Sequence, residues 1–110
     1  MRYLELGVEL VVPRGQKVFE IGSPTSDAGV FFVISGKVQL ERSFDDGHDL
    51  VYCSQAGELF GIVETFVNGR RLVAARALED SRLYAWSGPA FERAISIYIE
   101  LAQLTLQVLS

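Results

Sequence analysis

From Val8 to Trp86 the sequence consists of short apolar runs cut by glycine, proline, asparagine and aspartate, and at Ser87 that rhythm gives way to a helical period. Runs of this kind, without long amphipathic segments between them, predict an antiparallel barrel or sandwich rather than alternating strand–helix units. Val8 to Val12 and Lys17 to Glu20 flank Pro13-Arg14-Gly15, where proline presets one dihedral and glycine accepts a positive φ, so a hairpin is expected there. Val30 to Ile34 is continuously apolar with β-branched and aromatic members, the pattern of a strand buried on both faces. Lys37-Val38-Gln39-Leu40-Glu41 alternates and is expected to be half exposed, with Gly36 as the turn between the two strands. Asp45-Asp46-Gly47-His48 predicts a solvated hairpin tip leading into Leu50-Val51-Tyr52-Cys53.

Beyond Trp86, Ser87 stands as an N-cap, with Pro89 in the first turn and Glu92 close behind, which marks a helix start. The periodicity predicts helix to the end of the chain. One stripe along Phe91 to Leu109 holds Ala94, Tyr98, Leu101, Leu104 and Val108, and a second holds Ile95, Ile99, Ala102, Leu106 and Leu109. One stripe packs on the barrel, and the second is expected to meet the same helix of a second subunit as a homodimer. A single wide core-facing stripe is the alternative, although Glu100, Gln103 and Gln107 leave only a narrow polar side.

At 110 residues, with 49% hydrophobic and 22% charged residues, the chain has the size of one globular domain. A formal net charge of −4 argues against nucleic-acid binding by this chain alone, because phosphate neutralisation needs clustered Lys and Arg. The single cysteine, Cys53, excludes an intrachain disulfide and fits a reducing, cytoplasmic setting. Glu5 and Glu9 interrupt the N-terminal apolar residues, so no signal peptide is expected, and no run is long enough for a membrane span.

The stretch from Gly57 to Leu78 carries the chemistry. Gly57 and Gly61 bracket a short apolar segment, a turn of helix is expected after Gly61, and Arg70-Arg71 opens a β-rich run. Amides at a helix start suit an anion, and arginine adds a planar fork with a permanent charge. By spacing alone, Arg70 and Arg71 read as solvated charges after the Asn68-Gly69 turn, balancing Glu58 and Glu64.

This stretch resembles the phosphate-binding cassette of the cyclic nucleotide-binding domain family, in which a Phe-Gly-Glu turn precedes Pro-Arg-Ser-Ala or Pro-Arg-Thr-Ala. The likeness extends upstream. Pro13 to Gly22 resembles the family's opening hairpin, Val30 to Leu40 its central strand pair, and Ala77 to Tyr84 its closing strands, with Gly15, Gly22, Gly36, Gly57 and Gly61 in the family's order. The resemblance implies a mainly β fold, a double-stranded β-helix or jelly roll of about eight strands with C-terminal α-helices. The barrel would span about 8–86 and the helices about 88–110 of a single cyclic nucleotide-binding-like domain.

The resemblance further implies a non-enzymatic, catabolite-activator-type sensor of cyclic AMP, cyclic GMP or a related anionic ligand, needing no cofactor and signalling through its C-terminal helix. The phosphate would be held by Gly61, Ile62, Val63, Arg71 and Leu72. In resembling regulators that helix continues toward a dimer coil and a DNA-binding helix-turn-helix. Two positions depart from the family. Ile62 replaces the glutamate that receives a ribose hydroxyl, a loss of roughly 1.5–3 kcal/mol for one hydrogen bond to a charged group. Leu72 replaces the serine or threonine beside the phosphate. Glu64 is the candidate replacement ribose contact, although in a helical turn it points away from Ile62.

These departures keep two other readings open: a nucleotide-free dimerisation or protein-interaction module, and a pocket retuned for another anionic metabolite. His48 is the sole histidine, so a metal centre of the kind found in cupin enzymes lacks its ligands. His48 on a hairpin tip and Cys53 in a strand are likewise poorly placed as axial ligands to haem. No Ser, His and acid combination suggests catalysis.

Overall fold

The computed structural model describes residues 4–109. Eight strands run in the order β1 (Val8–Val12), β2 (Lys17–Phe19), β3 (Val30–Ser35), β4 (Lys37–Ser43), β5 (Asp49–Gln55), β6 (Leu59–Phe60), β7 (Ala74–Ala77) and β8 (Ser81–Trp86). A wide helical turn, Glu64–Asn68, lies between β6 and β7, and helices α1 (Gly88–Ile97) and α2 (Ile99–Leu109) follow β8. The strands form two four-stranded antiparallel sheets, one ordered β1-β8-β3-β6 and the other β2-β7-β4-β5. This is the expected jelly roll closed by C-terminal helices.

The period-2 alternation of β3 and β8 divides the core. Phe31 and Val33 of β3, with Leu83 and Ala85 of β8, point between the sheets against Val38, Phe60, Ala75 and Ala77. Val30 and Phe32, with Tyr84 and Trp86, point the other way and meet Ile62, Phe91, Ala94 and Leu101. That two-sided burial explains the unbroken apolar run of Val30 to Ile34. Small residues at Ala75 and Ala77 leave room for the stacked rings of Phe31 and Phe60, whose centroids are 5.0 Å apart. Trp86 is fully buried, lies edge-on to Phe91 at 5.3 Å, and its indole N–H donates to the Glu5 carbonyl at 2.7 Å.

Consecutive strands mostly exchange sheets, and this corrects two expected pairings. β1 and β2 flank the Pro13-Arg14-Gly15 turn without pairing: β1 bonds to β8 and β2 to β7. Likewise β3 and β4 lie in different sheets, and Gly36 carries the chain across with φ 95°. Turn residues in the sequence mark a change of direction but not the partner, which the burial of both faces of β3 decides. Only the β4–β5 hairpin pairs as expected, from Lys37↔Gln55 to Ser43↔Asp49, with His48 and Asp46 at its exposed tip.

The C-terminal helix is also not continuous. Tyr98 is extended (φ −111°, ψ 107°) and separates α1 from α2. The residues before the break, Ile95, Ser96 and Ile97, have β-branched or backbone-competing side chains, and the Ser96 hydroxyl donates to the Arg93 carbonyl at 2.7 Å. The Ser87 hydroxyl accepts from the Ala90 amide as the expected N-cap. The first stripe faces the barrel through Ala94 and Leu101, whereas Ile99, Leu106 and Leu109 of the second are 69%, 66% and 55% exposed. Among the described residues no helix is long and apolar enough to cross a membrane.

A Cβ at Gly36 would fall 2.3 Å from Ser81 Oγ and 2.8 Å from the Asp80 carbonyl, in a left-handed backbone. Gly36→Ala is therefore expected to cost about 2 kcal/mol or more, read as a lower urea midpoint with an unchanged denaturant slope. An unchanged midpoint would show that the sheet crossing tolerates a side chain.

Candidate functional site

β6 ends at Phe60, held against Phe31 of β3, and the chain then turns at Gly61 with φ 90°. A Cβ there would meet the Gly29 carbonyl at 2.5 Å and Arg71 Nη1 at 2.7 Å, so only glycine lets the backbone lie this close to the arginine. The Thr65 hydroxyl donates to the Gly61 carbonyl at 2.7 Å. The Gly69 amide closes the wide turn on the Glu64 carbonyl at 2.7 Å, and Gly69 itself is left-handed. This winding buries Ile62 in the helix-facing core and turns the Glu64 side chain toward Arg71.

Arg71 is 2% exposed. Its Nη1 donates to Glu64 Oε1 at 3.1 Å, and its Nη2 donates to the Ala28 and Gly29 carbonyls, each at 2.8 Å. The guanidinium lies 4.0 Å over the Phe19 ring and 5.5 Å from that of Phe31. The other carboxylate oxygen, Glu64 Oε2, accepts from the amides of Leu72 and Val73. Burial lowers the Arg71 pKa from its ordinary value and the Glu64 carboxylate opposes that shift. Arginine nevertheless keeps its proton at neutral pH.

Beside this pair lies a cavity of about 640 Å³. Leu40 and Tyr52 of the second sheet, residues 57–64 of β6 and the turn, and Leu104, Gln107 and Val108 of α2 form its walls. Its charged lining residues are Glu58 and Glu64, with no Lys, Arg or His among them. Gly61, Ile62, Val63 and Glu64 thus share one wall, while Arg71 and Leu72 are not part of it. Arg71 instead borders a smaller cleft of about 320 Å³ with Phe19, Ser23 and Asp27. Leu72 is exposed, and its carbonyl accepts from Arg42.

The two adjacent arginines, read by spacing as a pair of solvated charges, part company. Arg70 is exposed and donates to the Gly22 carbonyl at 3.0 Å, whereas Arg71 is the buried one. Its partner, Glu64, and the carbonyls of Ala28 and Gly29 have no motif in the sequence. The requirement that a buried guanidinium be paired was the one available signal, and it left Glu58 and Glu64 as nearby candidates. The lining of the cavity holds no cationic side chain, and Arg71, buried nearby, already holds the Glu64 carboxylate. Among the described residues no group of three His, Cys, Asp or Glu stands close enough to hold a metal ion.

The sequence profile of the cyclic nucleotide-binding domain matches residues 9–98. Solved structures with the same fold include the catabolite activator protein of Thermus thermophilus, at 27% identity and a TM-score of 0.82 over 98% of this chain and 50% of that one. The sensor domain of the transcriptional regulator DNR from Pseudomonas aeruginosa matches at 23% identity and a TM-score of 0.75, over 97% of this chain and 71% of that one. The c-di-GMP-responsive regulator CLP of Xanthomonas campestris matches at 24% identity and 0.75, over 98% and 51% respectively. The chain thus spans half the length of the Thermus protein. No characterised protein sequence matches it at a significant level.

Removing one partner of a buried ion pair strands the other, so Arg71→Ala is expected to cost about 3–5 kcal/mol. Arg70→Ala, at an exposed position, should stay within about 0.5 kcal/mol. Chemical denaturation of the two variants checks this, and equal effects would contradict the burial of Arg71.

Proposed function

Because the chain belongs to the cyclic nucleotide-binding domain family, we propose that it is the sensing part of a regulator, in which a small ligand lodges between the turn after Gly61 and helix α2. One observation carries this reading. The walls of the 640 Å³ cavity come from the barrel, from the turn and from Leu104, Gln107 and Val108 of α2. An occupant therefore touches the element expected to carry the output, and a ligand shifts a conformational equilibrium only through such differential contact. The likeness to the Thermus catabolite activator supports a role in transcriptional regulation, with any DNA contact supplied outside an acidic chain of net charge −4. No enzyme activity and no cofactor enter this reading. Family membership makes cyclic AMP and cyclic GMP the first ligands to try.

The exposed stripe of Ile99, Leu106 and Leu109 favours homodimerisation through α2, with or without a ligand. If no small molecule binds, that stripe leaves a nucleotide-free interaction module as the function.

Amide spectra of ¹⁵N-labelled protein, titrated with cyclic AMP, cyclic GMP, adenosine, guanosine and indole, test the ligand site. At least one compound is expected to move the amides of Ile62–Glu64 and of Leu104–Val108 with a single dissociation constant. Shifts confined to one wall, or none with any compound, would contradict the reading. For the dimer, sedimentation should find two copies in the native chain and one in Leu106→Glu, a charge being strongly disfavoured in an apolar contact. A native monomer would remove the proposed interface.

A further inference from the structure

We infer that Glu64 sets the specificity of this cavity: its carboxylate is a built-in anion that fills the grip of Arg71, so the cavity takes an uncharged ligand and rejects phosphates. The inference rests on the cavity being the ligand site, as proposed above.

The donors around Glu64 are those an exogenous oxyanion would require. One oxygen takes the guanidinium, and the other takes two successive backbone amides, Leu72 and Val73. A carboxylate and a phosphate compete for such a set because both present several acceptor oxygens to the same fork. Here the competitor is covalently attached at a turn closed by Gly69, so its effective concentration at the grip is very high. Glu64 also lines the cavity and Arg71 does not, which interposes the carboxylate between the space a ligand would enter and the buried guanidinium beside it.

The rest of Arg71 does not reach this cavity, and what is left of it borders the separate cleft with Ser23 and Asp27. Nη2 is spent on the carbonyls of Ala28 and Gly29, one flat face lies on Phe19, and the Gly61 backbone closes over Nη1. An anion in the cavity would meet two carboxylates, Glu58 and Glu64, and no positive side chain in the lining. Walls such as Phe60, Ile62 and Leu104 instead favour an apolar body, and the two carboxylates accept hydrogen bonds from hydroxyl or amide N–H donors. The ligand class is therefore a neutral, largely apolar molecule with one or two donor groups.

Calorimetry with cyclic AMP and inorganic phosphate on the native chain, Glu64→Ala, Glu64→Gln and the double variant Glu64→Ala/Arg71→Met tests this, with near-ultraviolet dichroism to verify that each is folded. The native chain is expected to give no cyclic AMP or phosphate binding at millimolar concentration. Removing the carboxylate should raise the affinity for cyclic AMP at least about tenfold, as expected for one relieved like-charge contact and a freed fork. That gain should vanish in the double variant. Adenosine, the same molecule without the phosphate, should not share that gain, its affinity for Glu64→Ala being no higher than for the native chain. Glu64→Gln preserves the volume and carries the test if the alanine variant melts, and is expected to show the same direction. Cyclic AMP binding to the native chain that is unchanged or weakened by either substitution would overturn the inference while leaving the cavity reading intact. Silence of the folded variants toward cyclic AMP and phosphate would also overturn it. Silence of every protein toward every compound, adenosine included, would overturn the cavity reading with it.

Discussion

The Glu64–Arg71 ion pair joins the β3–β6 side of one sheet to the β2–β7 side of the other, two sides that no ladder of strand hydrogen bonds connects. Through it the turn after β6 is tied to the entry of β7, and through the same guanidinium both are tied to the carbonyls of Ala28 and Gly29 ahead of β3 and to Phe19 of β2. A charge buried this deeply is tolerable only with its partners in place, since desolvation of either ion alone is costly. The geometry of the turn follows from that demand. Gly61 must lack a side chain to pass the guanidinium, and the wide turn ending at left-handed Gly69 places Glu64 where its two oxygens can be divided between Arg71 and the amides.

Much of the architecture was legible in the sequence. The two-faced burial of β3, the β4–β5 hairpin, the Ser87 cap and the apolar stripe facing the barrel follow from local period and turn chemistry, and those signals are short in range. What escaped was long in range. The Pro13-Arg14-Gly15 turn and Gly36 look the same locally whether the flanking strands pair or cross to opposite sheets, and only the packing of β1 on β8 and of β2 on β7 decides between them. The interruption at Tyr98 was visible in principle from the β-branched crowding of Ile95, Ile97 and Ile99, but the amphipathic period masked it.

At the site the same division appears. Gly61 and Arg71 were recognisable by the cassette they resemble, and the structure brings them within contact. The partner of Arg71 was not, because an acid seven residues away on a turn has no fixed spacing, and the resemblance offered Glu64 only as a candidate ribose contact. Scaffold glycines answer to backbone geometry, whereas ligand contacts depend on side chains that one substitution can redirect. The family is thus written in residues that shape the chain, such as Gly61, whereas Glu64 and Ile62, the latter a departure from the cassette, line the cavity. Arg71 lies outside the lining of the cavity, where apolar walls and the carboxylates of Glu58 and Glu64 stand with residues of α2.

All of this depends on Glu64 and Arg71 being coupled in solution. A double-mutant cycle of Glu64→Ala, Arg71→Ala and the combined variant, followed by urea unfolding, measures that coupling directly. The account predicts a coupling energy of about 2–3 kcal/mol, with the double variant less destabilised than the sum of its parts. Additive losses, with a coupling near zero, would mean that the carboxylate does not occupy the arginine's grip.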